Sequence, residues 1–340
     1  MLEVKRIEQF DEWNRFVVSK PHAQFMQSEL YMNFCNALGE DAFVAGVYKA
    51  GVLIGGSVVS GVRARRGSYL VLPYGPLLDF EDREVSTIFF DYIRKYAVEN
   101  TYDFIRFSPF VPDSTELRGH VDTLQARRAP THILAENTWL LKLDSDEDTL
   151  LAQMNKNHRN LIRRCHREGV EVRMTTDHEA LSRLNDMHDE VAKRHSFKRF
   201  SRSFIEKEFH TFSREGRAVI FEARLPDGEV DSSAIVVFFG DTASYRHSAS
   251  LGLNKKLPTS YAIQWHVVQE AKRQGKTWYN FWGIAPKNTG KTHPFSGITH
   301  FKRGFGGQQL DLLPCHDIPV RRRYIMTRWF ELMRAKMRGF

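Results

Sequence analysis

The sequence predicts an α/β (α+β) fold made of two tandem copies of one unit, with mixed sheets flanked by helices. Three observations support this prediction. The order strand, strand, strand, helix, strand occurs twice along the 340 residues. Hydrophobic residues make up 42% of the chain and charged residues 26%, which is typical of a globular protein. The chain is also long enough for two domains of ordinary size.

The first copy begins with a predicted β-hairpin. Apolar runs at 43–48 and 52–59 flank a Lys-Ala-Gly turn. A third strand is expected at 69–72, an amphipathic helix over 84–99 and a last strand at 103–107. Helices covering a mixed sheet are the expected product of this order.

The second copy repeats the order. A hairpin is predicted from 218–223 and 232–239, which flank a Pro-Asp-Gly turn. A strand at 243–245, an amphipathic helix over 258–274 and a strand at 278–282 follow. The two copies therefore predict two similar sheets.

Further helices are predicted between and after the copies. Their patterns cover 149–168, 177–195, 202–214 and, at the end of the chain, 319–338. The last helix combines cations with Trp and Phe, which suits either a peripheral contact with an anionic membrane face or packing against its own domain.

Charge and cysteine content limit the classes of partner and compartment. The net charge of +8 suits polyanionic partners or a solvated basic surface. Cys35, Cys165 and Cys315 are far apart and form no CxxC pair, so zinc and disulfides are not expected. The first residues lack a signal-peptide pattern and no apolar run spans a membrane, so we expect a cytoplasmic protein.

Residues 301–307 form the most unusual segment, with the sequence Phe-Lys-Arg-Gly-Phe-Gly-Gly. Glycines allow close approach of backbone to a ligand, and Lys302 could stabilise a developing negative charge. An ordinary turn with solvated cations is the other interpretation. A Gly-Lys-Thr at 290–292 lacks the earlier glycine of a P-loop, so a polar loop is expected there.

A predicted helix carries a stripe of cations. Arg159, Arg163 and Arg167 are spaced four residues apart and share one face. Such a stripe can follow a phosphate backbone, although a solvated basic face has the same pattern.

Several segments together resemble the Fem family (the FemABX type) of peptidoglycan-bridge aminoacyltransferases. The segment at 297–307, which contains the Phe-Lys-Arg-Gly-Phe-Gly-Gly sequence, is the most specific of them. The matching segments are 25–28, 72–76, 157–169, 245–250, 279–283 and 297–307. The resemblance implies two acyl-CoA N-acyltransferase (GNAT)-like domains, but no coenzyme A and no other cofactor or metal. No pyrophosphate-binding turn of the acetyltransferase type is found in either copy. The chain lacks heptads for a coiled-coil arm, so it resembles the compact members.

The resemblance also implies a division into domains. The first would comprise residues 1–140 plus 312–340, on the acceptor side, and the second residues 141–311. The implied partners are an aminoacyl-tRNA and a muramyl-peptide precursor of peptidoglycan, bound by a monomer.

Site residues follow from the same resemblance. Lys302 matches the lysine that assists transfer, and Phe301 matches an aromatic residue beside it. Tyr245 matches a tyrosine of the acceptor cleft, and Arg199 or Arg202 matches an arginine that binds precursor phosphates.

Three further substrate-binding candidates differ in residue type from the family pattern. Ser108 precedes Pro109 where compact members have Asp. Asn33 lies near the position of a precursor-binding lysine, and Phe204 lies where a tyrosine is expected. Two other functions remain open from the residues: an N-acyltransferase of the same fold that uses acyl-coenzyme A or modifies another envelope polymer, and a non-catalytic RNA-binding protein.

Overall fold

The computed structural model describes residues 1–64, 67–195, 197–287, 289, 290 and 293–338. The strands are β1 (Leu2–Arg6), β2 (Asp41–Lys49), β3 (Val52–Ala64), β4 (Gly67–Tyr74), β5 (Phe104–Pro109), β6 (Arg127–Arg128), β7 (Asn137–Lys142), β8 (Glu171–Thr175), β9 (Ala218–Arg224), β10 (Val230–Phe239), β11 (Thr242–Ser250), β12 (Trp278–Gly283), β13 (Gln308–Asp311) and β14 (His316–Pro319). The helices are α1 (Phe10–Val18), α2 (Glu29–Ala37), α3 (Arg83–Glu99), α4 (Thr115–Thr123), α5 (Glu147–Gln153), α6 (Lys156–Arg167), α7 (His178–His195), α8 (Arg202–Ser213), α9 (Thr259–Arg273), α10 (Ser296–Arg303) and α11 (Tyr324–Arg338).

The chain divides into two compact units. The first comprises Met1–Lys20, Gln24–Glu136 and Asp311–Phe340, and the second comprises Pro21–Ala23 and Asn137–Leu310. Each unit contains one mixed sheet with helices packed on it.

The first sheet has the strand order β1-β2-β3-β4-β5-β14-β6. The pair β4–β5 is parallel, whereas β1–β2, β2–β3 and β3–β4 are antiparallel. Helix α3 begins where the Asp82 side chain accepts hydrogen bonds from two backbone N–H groups of its first turn. Its apolar side, with Phe89 and Ile93, packs against Leu72 and Phe107 in the core of this unit.

A buried glutamine joins the strands of the first unit. Gln27 lies in a 3-10 turn, and its Nε2 donates to the carbonyl oxygen of Pro73 at 2.6 Å. Its Oε1 accepts from the backbone N–H of Val58 at 2.9 Å. Gly75 packs so closely against Gln27 that any side chain there would overlap it. The segments 25–28 and 72–76 therefore meet through side chain-to-backbone hydrogen bonds.

The second sheet has the strand order β13-β7-β12-β11-β10-β9-β8. Helix α9 packs on β9 and β10, and its Val267 and Val268 are fully buried against Phe221 and Val236. Here β11 and β12 are the parallel pair, with antiparallel pairs on either side.

The predicted fold class is confirmed. The order β2-β3-β4-α3-β5 in the first unit recurs as β9-β10-β11-α9-β12 in the second. Within the described residues, no helix is both long enough and apolar enough to cross a membrane.

Two helix predictions were wrong in their bounds. The single helix expected over 149–168 is interrupted between α5 and α6, where Met154 is extended and the N–H of Asn155 donates to the carbonyl oxygen of Gly304 at 2.9 Å. The last helix begins at Tyr324 and not at residue 319, because 316–319 form β14 and pair with β5. In both cases a long-range backbone contact replaces a helical turn.

Candidate functional site

The two parallel strands of the second unit pair only over their first three residues and then separate. Pairing between β11 and β12 runs from Thr242 opposite Trp278 to Ser244 opposite Asn280. On its other edge, β11 pairs with β10 through a bulge at Arg246, which has no opposite residue. On the far side of the gap, β12 continues to Gly283, which pairs with β7. The backbone groups that the separation exposes must find other partners.

The side chain of Lys302 is a partner for one of these backbone groups. It lies in the last turn of α10, is only 4% exposed, and its Nζ donates to the carbonyl oxygen of Gly283 at 2.7 Å. Burial disfavours the charged form and lowers the pKa of Lys302 to about 7. Both the amine and the ammonium are therefore populated at neutral pH.

Asn280 is another. Its Oδ1 accepts from the backbone N–H of Trp282 at 2.8 Å and from the hydroxyl of Thr138 at 2.7 Å. Trp282 has a φ of +69°, a left-handed conformation that is strained for a bulky residue. The side chain of Asn280 thus holds the turn that carries the carbonyl of Gly283.

Residues at the start of α6 form hydrogen bonds to the backbone on both sides of Lys302. The Nε2 of His158 lies 2.9 Å from the carbonyl oxygen of Phe301, and the N–H of Asn155 donates to that of Gly304. Burial lowers the pKa of His158, so its ring is neutral and Nε2 carries the donated hydrogen. A side chain at Gly304 would overlap the ring of His158. The glycine is therefore required by close packing.

An aromatic group lies next to this segment. The ring of Phe301 is 4.9 Å from that of Tyr261 and 5.2 Å from that of Phe305. Phe301, Tyr261 and Tyr245 pack against the same hydrophobic core. Burial raises the pKa of Tyr245 to about 12, so its phenol stays protonated.

A buried ion pair connects α8 to the bulge. Nη2 of Arg246 donates to Glu208 at 3.0 Å, and Nε2 of His247 lies 2.6 Å from the same carboxylate. Burial acts to raise the pKa of Glu208, but Arg246 and His247 outweigh it and hold the pKa at about 2. The guanidinium of Arg246 also lies 5.2 Å from the ring centre of Trp282. Arg246 thus spans the gap between β11 and β12.

The start of α8, the helix that carries Glu208, contains Arg202 and Phe204, and Arg199 lies just before it. Arg199 is mostly buried, and its Nε donates to Asp189 at 2.6 Å. Arg202 is more exposed and bonds to the same carboxylate, with Nε at 2.9 Å. Phe204 approaches His247 edge-on, with ring centres 6.5 Å apart. The structure therefore places both candidate arginines on one carboxylate.

The predicted basic stripe lies on α6, but its members differ in their contacts. Arg159 donates to the carbonyl oxygens of Ala152, at 3.0 Å, and Met154, so it closes the break between α5 and α6. Arg163 is exposed. Arg167 is exposed and pairs with Glu168 at 3.0 Å.

The two remaining candidates belong to the first unit. Asn33 is exposed on α2. Ser108 is buried on β5, and within the described residues its hydroxyl has no hydrogen-bond partner. Of the predicted polar loop, residues 288, 291 and 292 lie outside the described residues. Across the described ranges no group of three or more His, Cys, Asp or Glu side chains could hold a metal ion.

Sequence patterns did not select four residues whose contacts lie around the gap between β11 and β12. They are Glu208, Arg246, Asn280 and Trp282. A weak signal existed for two of them, because Glu208 interrupts the apolar face of a predicted helix and Arg246 places a charge within a predicted strand region. The pairing of these two charges over 38 positions is invisible in local patterns.

Comparison with known proteins identifies the family. The sequence model of the FemAB family matches residues 9–128, 128–229 and 223–331. The chain belongs to the FemAB family. A search of curated proteins finds no match.

Solved structures agree on the fold. FemX shares 16% identity, with 97% of this chain and 100% of that chain covered and a TM-score of 0.84. L-PGS from Bacillus licheniformis shares 15%, with coverages of 89% and 91% and a TM-score of 0.56. A tandem GNAT protein from the clavulanic acid biosynthesis pathway shares 10%, with coverages of 94% and 99% and a TM-score of 0.63. The fold is thus that of tandem GNAT-like proteins, and family membership supports a transferase.

Proposed function

We propose that this protein transfers an amino acid from an aminoacyl-tRNA to an amine on the stem peptide of a peptidoglycan precursor. Membership of the FemAB family supports this reaction class. The observation that carries the proposal is the position of Lys302, buried and hydrogen-bonded to Gly283 where β11 and β12 separate.

The chemistry required is attack of a neutral amine on the ester carbon of the aminoacyl-tRNA, which forms the amide C–N bond and breaks the ester C–O bond, so that the ribose hydroxyl leaves with the proton that the amine loses. The ester needs no further activation, so the enzyme must align the two reactants and stabilise the oxyanion that forms. An ammonium has three N–H donors, and Gly283 occupies one of those of Lys302. The other donors can bind the oxyanion in a site with little water, where each is worth more than in solvent. Lys302 is therefore assigned to electrostatic stabilisation, with substrate groups sharing the proton transfer.

The donor and acceptor are assigned to different surfaces. Exposed cations of α6, of which Arg163 is the clearest, are assigned to the tRNA backbone. Arg199, Arg202, Tyr245 and Phe204 are assigned to the precursor.

Asn33 and Ser108 are proposed as further precursor-binding residues, and both belong to the proposed first domain, residues 1–140 plus 312–340. Residues 141–311 would then supply the transfer site. We also propose a cytoplasmic monomer, a compartment that suits the buried free thiols Cys35, Cys165 and Cys315.

The direct test replaces Lys302 with Ala and, to keep the volume, with Met. In a purified transfer assay with charged tRNA and precursor, turnover should fall at least about 10²-fold in both variants. The Met variant should still fold cooperatively with only a modest fall in unfolding temperature, because its apolar side chain fills the buried position but leaves the carbonyl of Gly283 without a donor.

A second lysine provides the matched control. Lys276 also donates from Nζ to a backbone carbonyl, that of Gly240 at 2.9 Å, and burial also lowers its pKa. Lys276→Met should leave turnover unchanged. Full activity of Lys302→Met would remove Lys302 from the proposed role.

A ligand screen separates this function from coenzyme A chemistry. Charged tRNA should raise the unfolding temperature of the protein, and acetyl-coenzyme A should not. Stabilisation by acetyl-coenzyme A alone would replace the proposal with an ordinary N-acyltransferase. Salt-sensitive tRNA binding without any product would favour a non-catalytic RNA-binding protein.

A further inference from the structure

Helix α11 of the first unit turns its apolar side to solvent, which is the opposite of an ordinary surface helix. Such a helix normally turns its apolar side to the core and its polar side to water. Here the inward side carries Tyr324, Thr327 and Glu331, which are buried or half-buried. The outward side carries Ile325, Met326, Trp329, Leu332 and Met333, which are between 41% and 72% exposed.

The inward side is held by polar contacts that fix this orientation. Arg106, which is almost fully buried, donates to Glu331 at 2.7 Å and to Asp317 at 2.7 Å. The hydroxyl of Tyr324 donates to Asp317 at 3.1 Å. Rotating the helix to bury its apolar side would leave the charge of Arg106 without Glu331, so the apolar side stays outward.

The outward residues form one continuous face. Positions 325, 326, 329, 332 and 333 follow the i, i+1, i+4, i+7, i+8 spacing of a single helical side. They place Trp beside long aliphatic and Met side chains. Isolated exposed apolar residues are normal, but a contiguous apolar face marks a contact surface.

The exposed charges on α11 and in the segment just before it are cationic. Arg321, Arg322 and Arg323 are exposed just before the helix begins, and Lys336 is exposed near its end. Glu331 is the helix's single acidic residue in the sequence, and it is engaged inward by Arg106. The outward side of α11 therefore combines apolar and cationic side chains without an acidic one.

We propose that α11 docks this protein onto an anionic phospholipid surface. The apolar face inserts at the level of the lipid headgroups, with Trp329 at the interface, and the cations at 321–323 and 336 contact lipid phosphates. The helix lies in the plane of the surface and does not cross it. This inference is independent of the proposed transfer reaction, because binding to lipid requires no turnover.

The test is co-sedimentation of the full-length protein with phosphatidylcholine vesicles that contain or lack phosphatidylglycerol. We expect binding to the anionic vesicles that weakens as salt is added, since exposed charges are screened. The double variant Ile325→Ser/Trp329→Ser should lose at least about tenfold in partition coefficient, because two apolar side chains no longer insert. The variant Arg322→Glu/Arg323→Glu should lose the salt-sensitive part.

A matched substitution controls for general surface polarity. Val98 is 58% exposed on α3 of the same unit. Val98→Ser should bind vesicles as the unaltered protein does, and all variants should keep its unfolding temperature. Equal sedimentation of the Ile325→Ser/Trp329→Ser variant would overturn the proposal. A protein that ignores anionic vesicles but forms a dimer disrupted by that variant would also overturn it, and would assign the face to a second copy.

Discussion

The parallel strand pairs of the two units differ, although both units follow the same order of elements. In the first unit β4 and β5 pair over six positions, from Tyr69 opposite Phe104 to Tyr74 opposite Pro109. In the second unit β11 and β12 pair over three positions and then separate after Ser244. The first pair is a continuous part of a sheet, and the second ends in a gap.

The difference shows how a duplicated fold can assign a site to one copy. Separation of two strands exposes backbone groups that must be bonded again. In the second unit the carbonyl of Gly283 accepts from Lys302, and the N–H of Trp282 donates to Asn280. A buried lysine with a pKa near neutrality is thereby built into the strand ends.

The largest effect is expected from breaking the ion pair beside the gap. Glu208→Ala leaves Arg246 buried without its carboxylate, which should lower the free energy of unfolding by about 3–5 kcal/mol. Denaturant unfolding measures this change. Glu206→Ala on the same helix removes a carboxylate with only a 3.4 Å contact to Asn185 and should change it by less than about 1 kcal/mol. Equal losses in the free energy of unfolding would show that the Glu208–Arg246 ion pair contributes no more than a weak surface contact.

This ion pair also predicts a dependence on pH. The pKa of Glu208 is about 2 in the folded protein and 4.5 as its ordinary value. Because the folded-state pKa is depressed, the stabilisation is complete above about pH 4.5 and is lost as the pH falls towards 2. The midpoint of acid unfolding should therefore lie at a lower pH for the unaltered protein than for Glu208→Gln.

The next effect concerns the packing of the segment after Lys302. Gly304→Ala forces a methyl group into the ring of His158, which should destabilise the protein by up to about 3 kcal/mol and lower turnover. Gly297→Ala, on the same helix α10, meets open space and should be neutral or slightly stabilising. Thermal unfolding and the transfer assay measure both. A harmless Gly304→Ala would contradict the packing described here.

Replacing the buried amides should separate the two units by function. Gln27→Leu in the first unit and Asn280→Leu in the second each leave backbone groups unpaired, at a cost of about 1–3 kcal/mol. Only Asn280→Leu should also lower the rate of transfer by folded protein, since it releases the turn that carries Gly283. A similar loss of rate in both variants would contradict the assignment of the transfer site to the strand ends around Gly283.

The smallest effect is a change of slope in a pH profile. The attacking amine has an ordinary pKa of about 10.4, so its neutral fraction rises tenfold per pH unit below that value. If the Lys302 ammonium stabilises the oxyanion, log(kcat/KM) should rise with a slope of about 1 up to pH 7 and then flatten. In Lys302→Ala the slope of about 1 should continue to pH 8. A slope steeper than 1 below pH 7 would instead make Lys302 a general base.

Local patterns were sufficient for the elements that form from neighbouring residues. Alternating and apolar runs around short turns predicted the hairpins β2–β3 and β9–β10, and helical periodicity predicted α3 and α9. Strands without such patterns were missed, such as β14 and the two-residue β6, because they exist only through pairing with distant partners. The same reason explains the break between α5 and α6, where a contact with Gly304 outweighs helical propensity.

Local patterns and motifs were enough to predict the duplicated fold class, the resemblance to the Fem family and the importance of Lys302. The burial of Lys302, the lowering of its pKa to about 7 and its hydrogen bond to Gly283 at the end of a strand depend on contacts between distant parts of the chain. The outward orientation of the apolar side of α11 depends on such a contact as well, because Glu331 forms an ion pair with the buried Arg106. Periodicity shows that a helix has two faces, but which face is buried depends on charges brought together from distant parts of the chain.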